Sequence, residues 1–596
     1  MSLKDILSPF YVWKRAFQKP YTYSKPVIER EGADRYRGFH QNDLKKCIGC
    51  GSCEEICQNA AIDLVPVDHS DVETKDGDSG LRPRIDYGRC CWCALCVDIC
   101  PTGSLGMSNE YVWIDTDPDV FRFIAGAEDK PWDNDEKGYK RADGYQLLDF
   151  KRVEMDMIPF EKGIESFVEM LKGYSRDQAQ KEADRCVECG LCVSSCPAHM
   201  DIPDYIRAIR QDDMEKGLEL LYKTNPFPAT CGRICTRNCE SACALTHNGD
   251  AIAIRWLKRY IADQVSRDEY SKILQSREPS NGKKVLILGA GPGGLSAAYY
   301  LSMMGYECTI YEAHPKAGGM LRYGIPEYRL PYDQLDKDIE YIKSLGVEII
   351  YNTKVGVDID FPTLYKEHDA VFFSTGLPDA YKINIEGETP ETVMSGVKIL
   401  EDVTLGKTPE IGKEVLVVGG GNVAMDAART SRRFGSDVTV LYRRRLQDMP
   451  ADDEEIHEAI GEKVQFEFQA IPIKVEKLES GRIRLHWSKA ILVDQGPDKR
   501  PKPTINEDDM RTTEADTLIA AIGQDIDLCY LTDEFIAEIQ CKWDKPVVDL
   551  YCSTTMAGIF AGGDMSNRQK DAISAIADGH RAAIGIDRFI RGEDRA

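Results

Sequence analysis

Positive charge is scarce in this sequence of 596 residues, because 75 Lys and Arg side chains accompany 99 Asp and Glu side chains, for a net charge of −24. Nucleic-acid binding needs clustered positive charge, so the composition argues against nucleic acid as the main ligand. No uncharged run resembles a transmembrane segment: the longest, residues 285–306, contains four glycines and a proline near its start. That pattern favours a buried strand, a glycine turn and a helix. The N-terminus also lacks the apolar core of a signal peptide, so we expect a cytoplasmic protein.

Cysteine, by contrast, is abundant and unevenly distributed. Of 21 cysteines, 17 lie in three short blocks, at 47–100, 186–196 and 231–243. Disulfide frameworks are typical of small secreted domains, whereas cysteine blocks in a large intracellular chain indicate metal sites. The remaining four are scattered: Cys308, Cys529, Cys541 and Cys552.

The first block contains two copies of the spacing C-x2-C-x2-C-x3-C, which is typical of ferredoxins with two 4Fe-4S clusters. In such a domain the first three cysteines of a run bind one cluster and the fourth binds the other. Structural zinc prefers separated C-x2-C pairs and is disfavoured. Cys91 is out of register and is expected to be a free thiol. The predicted ligands are Cys47, Cys50, Cys53 and Cys100 for the first cluster, and Cys90, Cys93, Cys96 and Cys57 for the second.

The two later blocks supply eight more cysteines, enough for two further 4Fe-4S clusters and four in the whole chain. They lie in a region, residues 161–280, whose apolar residues recur with helical spacing. Ile164, Phe167, Val168 and Leu171 share one predicted helix face. The candidate ligands are Cys186, Cys189, Cys192, Cys196, Cys231, Cys235, Cys239 and Cys243.

About the first 115 residues resemble the two-cluster ferredoxin-like subunit of respiratory complex I and its hydrogenase relatives. The segments that carry the resemblance include FQKPYTY, RYRGFH, KCIGCGSCEEIC and IDYGRCCWCALCVDICPTGSL. The resemblance implies that this domain conducts electrons to a neighbouring subunit. Residues 1–40 hold eight basic and four acidic side chains. We predict a docking arm for a partner or an acidic membrane surface, with a plain surface arm as the alternative.

From about residue 161 to the C-terminus the sequence resembles the small subunit of bacterial glutamate synthase. The same module occurs in dihydropyrimidine dehydrogenase and in NADH-dependent ferredoxin:NADP oxidoreductase. GYSRDQAQKEADRCVECG, PAHMDIPDYI and NPFPATCGRICTRNCESAC carry the resemblance. In that family the fourth ligand of one cluster is often a non-cysteine side chain, at the position of Lys258 here, which has no acceptor when charged. The alternatives are that Cys231 substitutes for it or that the site differs from the family's. The implied ligands interleave, with Cys186, Cys189, Cys192 and Cys243 on one cluster and Cys196, Cys235 and Cys239 on the other.

Two glycine-rich motifs follow predicted buried strands. The first, Gly289-Ala-Gly291-Pro-Gly-Gly294, starts a predicted helix, the context in which glycines let the backbone approach a dinucleotide diphosphate. Glu312 lies 21 residues after Gly291, where a carboxylate accepts ribose hydroxyls. Together with residues 318–331 and GIFAGGD, this part resembles the FAD site of the same reductase family. The resemblance extends the candidate FAD-binding residues to Gly319, Arg322, Gly563 and Asp564.

The second motif, Gly419-Gly-Gly421-Asn-Val-Ala424, predicts the nicotinamide-nucleotide site. The strand that should end in an acidic residue reads DVTVLYRRR instead. Arginine pairs with a 2′-phosphate, which an acidic residue would repel, so NADP(H) is favoured over NAD(H). A basic surface turn is the alternative. The arginines concerned are Arg443, Arg444 and Arg445.

The predicted fold is multidomain, α+β and α/β, with a ferredoxin-like domain, a helical iron–sulfur domain and two Rossmann-like nucleotide-binding domains. The predicted boundaries are a docking arm at 1–40, the two-cluster domain at 41–117, a linker at 118–160, the helical domain at 161–280, the FAD domain at 281–405 and 513–596, and the NAD(P)H domain at 406–512.

These features predict an iron–sulfur flavoprotein oxidoreductase that moves electrons between NAD(P)H, FAD and a chain of clusters. Hydride transfer needs positioning rather than a side-chain acid or base, so no catalytic residue is assigned. Four clusters without an organic-substrate site predict a subunit of a hetero-oligomeric redox complex: a hydrogenase, a transhydrogenase or an electron-bifurcating assembly. Ferredoxin is a further candidate partner. The alternatives are a glutamate synthase small subunit feeding an amidotransferase, which the added ferredoxin domain disfavours, and a non-enzymatic electron-wiring subunit, which the intact glycines disfavour.

Overall fold

The computed structural model describes residues 11–18, 32–67, 77–142, 145, 147–496, 499–543 and 545–593. They divide into two compact units, Met1–Leu148 and Asp149–Ala596. Among these residues no helix is long and apolar enough to cross a membrane. Much of the docking arm predicted at 1–40 lies outside the described residues. Its described parts include a helix at Tyr11–Ala16 and the buried residues Phe39 and His40.

The first unit is built on two small antiparallel sheets. Short helices follow the cysteine loops directly, and each begins after a residue in the left-handed conformation, Gly51 and Ala94. These tight turns wrap the backbone around the cysteines. The strands are Ile62–Pro66, Leu81–Asp86 and Arg122–Ile124 in one sheet and His40–Asn42 with Leu105–Met107 in the other, and the helices are Ser52–Glu55 and Leu95–Ile99.

The structure differs from the predicted linker at 118–160. Strand Arg122–Ile124 pairs with Leu81–Asp86, and Phe123 and Trp132 are buried in the aromatic core of the first unit. The Trp132 indole N–H also donates a hydrogen bond to the His40 carbonyl, at 3.3 Å. The segment lacks periodic apolar spacing because its few apolar residues are used in long-range contacts. Residues 118–142 therefore belong to the two-cluster domain.

The second unit begins with the helical iron–sulfur domain. Its first long helix starts at a capping box, in which Ser175 and Gln178 satisfy each other's backbone N–H groups. The helices are Phe160–Gly163, Arg176–Asp184, Leu191–Ser195, Ile202–Arg210, Met214–Tyr222, Pro228–Ile234, Asn238–Ser241, Ile254–Gln264 and Arg267–Ile273.

The helix face predicted from Ile164 to Leu171 does not form. Helix Phe160–Gly163 ends before it, and Leu171 pairs instead with Met157 in an isolated antiparallel bridge. The Phe167 ring packs against Phe434 with 5.7 Å between ring centroids. Contacts with a distant part of the chain thus override the local helical spacing.

A five-stranded parallel sheet forms the core of the FAD domain. Parallel sheets are covered on both faces, which explains the continuous apolar run of residues 285–288 in strand Lys284–Leu288. The strand order is Ile559–Ala561, Ala370–Phe373, Lys284–Leu288, Glu307–Tyr311 and Glu348–Ile350, and the main helices are Pro292–Met303, Tyr332–Ser344 and Ala572–Ile590.

The nucleotide domain is inserted into the FAD domain and is larger than the predicted 406–512. A short antiparallel pair, Asp379–Ala380 with Gln524–Asp525, marks where the chain enters and leaves it. Its parallel sheet has the order Met394–Ser395, Thr517–Ala520, Glu414–Val418, Asp437–Tyr442 and Gln465–Phe468, and a three-stranded antiparallel sheet follows with Ala470–Lys477, Ile483–Lys489 and Met510–Ala515.

Candidate functional site

A cavity of about 560 Å³ in the second unit is lined by residues from both glycine motifs. Gly294, Arg322, Gly419, Gly421, Ala424 and the three arginines are not among its lining residues. Asn422 and Val423, which open the helix of the second motif, do line it. The cavity therefore covers most of the predicted FAD site and reaches the first residues of the helix that follows the second motif. The predicted residues that line it are Gly289, Gly291, Glu312, Gly319, Gly563 and Asp564.

The first glycine motif has the geometry of a diphosphate-binding turn. Gly289 has φ +97°, and a Cβ at Gly294 would lie 2.1 Å from the Gly289 carbonyl oxygen. Gly291 is the N-cap of helix Pro292–Met303 and has no side chain that could cap the first-turn N–H groups. Within the described part of the chain, the one atom within 4 Å of a Cβ there would be the Gly319 Cα, at 3.9 Å. The open space and the helix N-terminus fit an anionic diphosphate.

Glu312 is held at the end of strand Glu307–Tyr311 as a buried carboxylate. Its Oε2 accepts a hydrogen bond from the Ala290 N–H at 2.8 Å, and its Oε1 accepts one from the His314 N–H at 2.9 Å. These bonds tie the carboxylate to the glycine turn. Hydrogen bonding to Glu312 also raises the pKa of the His314 imidazole, which lies against Glu401 on its other side.

Asp564 provides a direct test of whether the cavity fits a flavin nucleotide. Its Oδ1 is buried without a hydrogen-bond partner among the described residues, and burial raises the pKa of its carboxyl to about 6. A buried oxygen without a partner is costly unless a ligand supplies the donor. A hydroxyl-bearing cofactor chain in this cavity would supply one, so the residues present fit FAD.

Arg322 has a different place from the one expected of a flavin ligand. Its side chain is 2% exposed, and its Nε donates to the Ala317 carbonyl at 2.7 Å. It also pairs with Asp336 and lies over the Tyr332 ring. Arg322 thus supports the loop behind the cavity, and its contact with FAD stays a prediction.

The helical iron–sulfur domain reaches the same cavity. Ile234 and Thr236 line it, and Cys235 lies between them in the chain. The Thr236 hydroxyl donates to Asp571, at 3.0 Å, and Asp571 caps helix Ala572–Ile590. The N-terminal end of that helix also lines the cavity, where its partial positive charge would favour an anion. A candidate cluster ligand is therefore adjacent to the flavin site.

The second glycine motif repeats the geometry of the first. Gly421 is the N-cap of helix Asn422–Arg433, and the described residue nearest to a Cβ there would be Pro450, at 4.0 Å. At Gly419, with φ +150°, a Cβ would lie 2.2 Å from the Ala521 carbonyl oxygen. The space beside Gly421 therefore fits a second diphosphate.

The three arginines after strand Asp437–Tyr442 are not equivalent. Arg445 is bound to Asp448, with 2.9 Å between Nε and Oδ2. Arg444 donates from Nε to the Pro501 carbonyl, at 2.8 Å. Among the described residues, no carboxylate lies within ion-pair distance of Arg443 or Arg444, so these two cations are the ones available to a phosphate.

Sequence reasoning missed a charged link between the two nucleotide domains. Arg329 of the FAD domain contacts Asp426 and Glu455 of the nucleotide domain, each at 2.6 Å. Arg329 and Asp426 both line the cavity, and burial raises the pKa of Asp426 to about 6. The residues lie 97 positions apart, so no local spacing signals the pair.

In the first unit the structure brings together the thiols predicted to share a cluster. Burial, followed by the like charges of Cys91, Cys57 and Cys93, raises the pKa of Cys90 to about 11. Burial raises the pKa of the Cys53 thiol, and the like charges of Cys50 and Cys100 raise it further. Cys91 is exposed, but so is the predicted ligand Cys93, and Cys91 lines the same cavity, so its free thiol stays a prediction. Four predicted ligands line one cavity of about 70 Å³: Cys57, Cys90, Cys93 and Cys96.

The helical domain also contains two groups of thiols. One of these groups surrounds the side chain of Lys258, a residue that is only 4% exposed. Burial alone would lower the pKa of Lys258, but the cysteines around it, Cys235 first, raise it. Within the described ranges no three His, Cys, Asp or Glu side chains form a site for a single metal ion. Cys186, Cys189, Cys192 and Cys243 line a cavity of about 20 Å³, and the thiols around Lys258 are Cys196, Cys231, Cys235 and Cys239.

Three family descriptions match the sequence. Residues 46–104 match the 4Fe-4S dicluster domain. Residues 163–270 match dihydropyrimidine dehydrogenase domain II, 4Fe-4S cluster. Residues 283–579 match pyridine nucleotide-disulphide oxidoreductase. The predicted combination of iron–sulfur domains with Rossmann-like nucleotide-binding domains is confirmed.

Several curated proteins are similar over most of the chain. The NADPH-Fe(3+) oxidoreductase subunit beta of Geobacter sulfurreducens is 37% identical over 67% of this chain and 63% of its own length. The NADP(+)-dependent formate dehydrogenase subunit beta of Moorella thermoacetica is 38% identical over 67% of this chain and 60% of its own length. This chain thus spans less than two thirds of those relatives. The glutamate synthase [NADPH] small chain of Escherichia coli is 32% identical over 74% of this chain and 98% of its own length.

Fold and cysteine groups together define a chain that combines two iron–sulfur domains with a pyridine nucleotide-disulphide oxidoreductase domain. Nearly the whole length of the glutamate synthase small chain aligns with this chain, which identifies the family to which it belongs. The chain belongs to the iron–sulfur flavoprotein family of the glutamate synthase small chain.

Proposed function

We propose that this protein transfers electrons between NADPH and a partner protein, through FAD and four 4Fe-4S clusters. Bound FAD would exchange a hydride with the nicotinamide and single electrons with the clusters. One observation carries the proposal: Ile234 and Thr236, the neighbours of the candidate ligand Cys235, line the flavin cavity. Electrons could then pass between the flavin and a cluster within one unit.

This chain's own residues would hold, orient and shield the cofactors. The glycine turn and helix Pro292–Met303 would bind the FAD diphosphate, Glu312 the ribose and Asp564 a hydroxyl of the cofactor. Cys231 is proposed as the fourth ligand beside Lys258, because a protonated amine offers iron no lone pair. The proposed ligand sets are Cys47, Cys50, Cys53 and Cys100; Cys57, Cys90, Cys93 and Cys96; Cys186, Cys189, Cys192 and Cys243; and Cys196, Cys231, Cys235 and Cys239.

We propose a redox complex as the working form. Two relatives are named as beta subunits, of an NADPH-Fe(3+) oxidoreductase and a formate dehydrogenase, and a third as the small chain of glutamate synthase. The two-cluster domain would pass electrons to another subunit or to ferredoxin. A role as glutamate synthase small chain is the second candidate, but that relative aligns with only 74% of this chain. Thiolate ligands favour a reducing compartment, the cytoplasm.

An anaerobic titration with NADPH tests the function. The as-isolated protein should contain about sixteen irons, four per cluster, and one FAD per chain. NADPH should bleach the flavin absorbance and then produce the electron paramagnetic resonance (EPR) signals of reduced clusters. Bleaching without cluster reduction would contradict the path through Cys235. No bleaching with either NADPH or NADH would favour the electron-wiring alternative.

If the protein prefers NADP(H), replacing the three arginines one at a time should change the KM for NADPH unequally. Arg443→Ala and Arg444→Ala should each raise the KM for NADPH roughly 10–100-fold, because a hydrogen bond to a charged group contributes about 1.5–3 kcal/mol. The KM for NADH should change little. Arg445→Ala is the matched control, since Asp448 already binds that side chain. Steady-state kinetics with both nucleotides measures the ratio, and equal losses for NADPH and NADH would refute the assignment.

A further inference from the structure

A histidine lies between a tyrosine hydroxyl and a cluster thiol in the first unit. His40 belongs to strand His40–Asn42 and is 1% exposed. Its Nε2 is 3.3 Å from the Cys96 Sγ, and its Nδ1 is 2.8 Å from the Tyr87 hydroxyl. The ring lines the cavity that holds the four thiols of the second ligand set. His40 is the last residue of the segment RYRGFH, but the sequence predicted no role for it.

The Tyr87 hydroxyl determines which nitrogen of the ring carries the proton. This hydroxyl accepts a hydrogen bond from the His40 backbone N–H, at 2.6 Å. Its own single proton can then be donated to Nδ1. A cysteine that binds iron is a thiolate and has no proton to give. The contact between Nε2 and Sγ therefore requires the proton to be on Nε2.

We infer that His40 donates a hydrogen bond from Nε2 to the thiolate of Cys96 and thereby raises the reduction potential of the second cluster. The inference rests on the proposed ligation by Cys57, Cys90, Cys93 and Cys96. Reduction adds negative charge to a cluster and its sulfurs, and an N–H donor stabilises the reduced form more than the oxidised form. His40 acts through Cys96, so it is a positioning residue.

The surroundings hold the donor in place. Tyr87 packs edge-on against Phe39, with 5.2 Å between ring centroids, and stacks with Phe123. The His40 carbonyl accepts from the Trp132 indole. The first cluster has a different set of partners: its predicted ligand Cys100 lies 3.4 Å from the Ser104 hydroxyl and 3.5 Å from the Thr102 hydroxyl. The two clusters of one domain are thus provided with different donors.

A redox titration of the full-length protein tests the inference. Mediators, rather than NADPH, would set the potential, and EPR would follow each cluster. In His40→Asn, whose amide nitrogen takes the place of Nδ1, one midpoint should fall. At the parental midpoint the ratio of reduced to oxidised cluster should drop about tenfold, which corresponds to about 59 mV for one electron. His40→Gln is the matched variant, because its amide nitrogen takes the place of Nε2, and it should keep most of the parental midpoint.

Each remaining outcome bears on the inference. Equal midpoints in the parent and both variants would overturn it. Equal shifts in His40→Asn and His40→Gln would assign the effect to packing and would also overturn it. If both His40 variants lose the cluster, Tyr87→Phe decides, since it retains the imidazole and removes its orienting hydroxyl; its midpoint should fall and an unchanged value would contradict the inference. If the unaltered protein lacks a second cluster in this domain, the proposed ligation fails, independently of NADPH and FAD.

Discussion

Gly291→Ala is expected to give a folded protein that retains little FAD. Alanine can adopt the extended backbone of this position, φ −79° and ψ −177°, and among the described residues the atom nearest to its Cβ would be the Gly319 Cα, at 3.9 Å. The same methyl group would occupy the space through which the backbone approaches the cofactor diphosphate. Overpacking of this kind costs about 1–3 kcal/mol, so FAD should bind roughly 10–100-fold more weakly.

The measurement is the ratio of flavin to protein after purification, followed by titration with FAD. Thermal unfolding of the flavin-free form should change by less than about 1 kcal/mol, which separates a binding defect from a folding defect. The cluster signals should survive chemical reduction. If Gly291→Ala instead retained one tightly bound FAD per chain, the proposal that this turn binds the FAD diphosphate would be wrong.

Gly421→Ala is expected to retain FAD and lose reduction by NADPH. Gly421 has the same N-cap geometry, φ −97° and ψ 178°, and the same free space, with Pro450 at 4.0 Å. The methyl group would obstruct the second diphosphate, and NADPH should bind roughly 10–100-fold more weakly. The rate of flavin bleaching at subsaturating NADPH should fall by the same factor.

The two glycine variants are matched controls for each other, because they make the same chemical change at equivalent positions of two turns. Chemical reduction of Gly421→Ala should still reduce both flavin and clusters, which isolates the defect to the nucleotide. Loss of FAD from Gly421→Ala would instead indicate that the first and second motifs have been assigned to the wrong cofactors.

The sequence predicted the parts whose chemistry depends on short spacing. Three cysteines within seven residues place three thiols on one loop, and the loop conformation follows from left-handed residues such as Gly51. A glycine turn between a buried strand and a helix is equally local, as Gly289 and Gly291 illustrate. These patterns were sufficient to identify the family and the kinds of cofactor domain.

The helix expected over Ile164–Leu171 shows where local spacing fails. Its apolar residues recur at three and four positions, yet Phe167 packs against Phe434, and Leu171 pairs with Met157. The same holds for the expected linker, in which Phe123 and Trp132 enter an aromatic core. A short segment has only marginal helical stability by itself, so tertiary packing determines its conformation.

By itself, then, the sequence determined the number and spacing of the cysteines, the two glycine turns and the excess of acidic over basic side chains. The tertiary structure alone decided which distant residues meet: Arg329 with Asp426, Ile234 and Thr236 with the flavin cavity, and His40 with Cys96. The physical reason is the separation along the chain between the residues that interact. Loop conformations and ligand spacing are set within a few residues, whereas these contacts join segments tens of residues apart and form only when whole domains bury their cores.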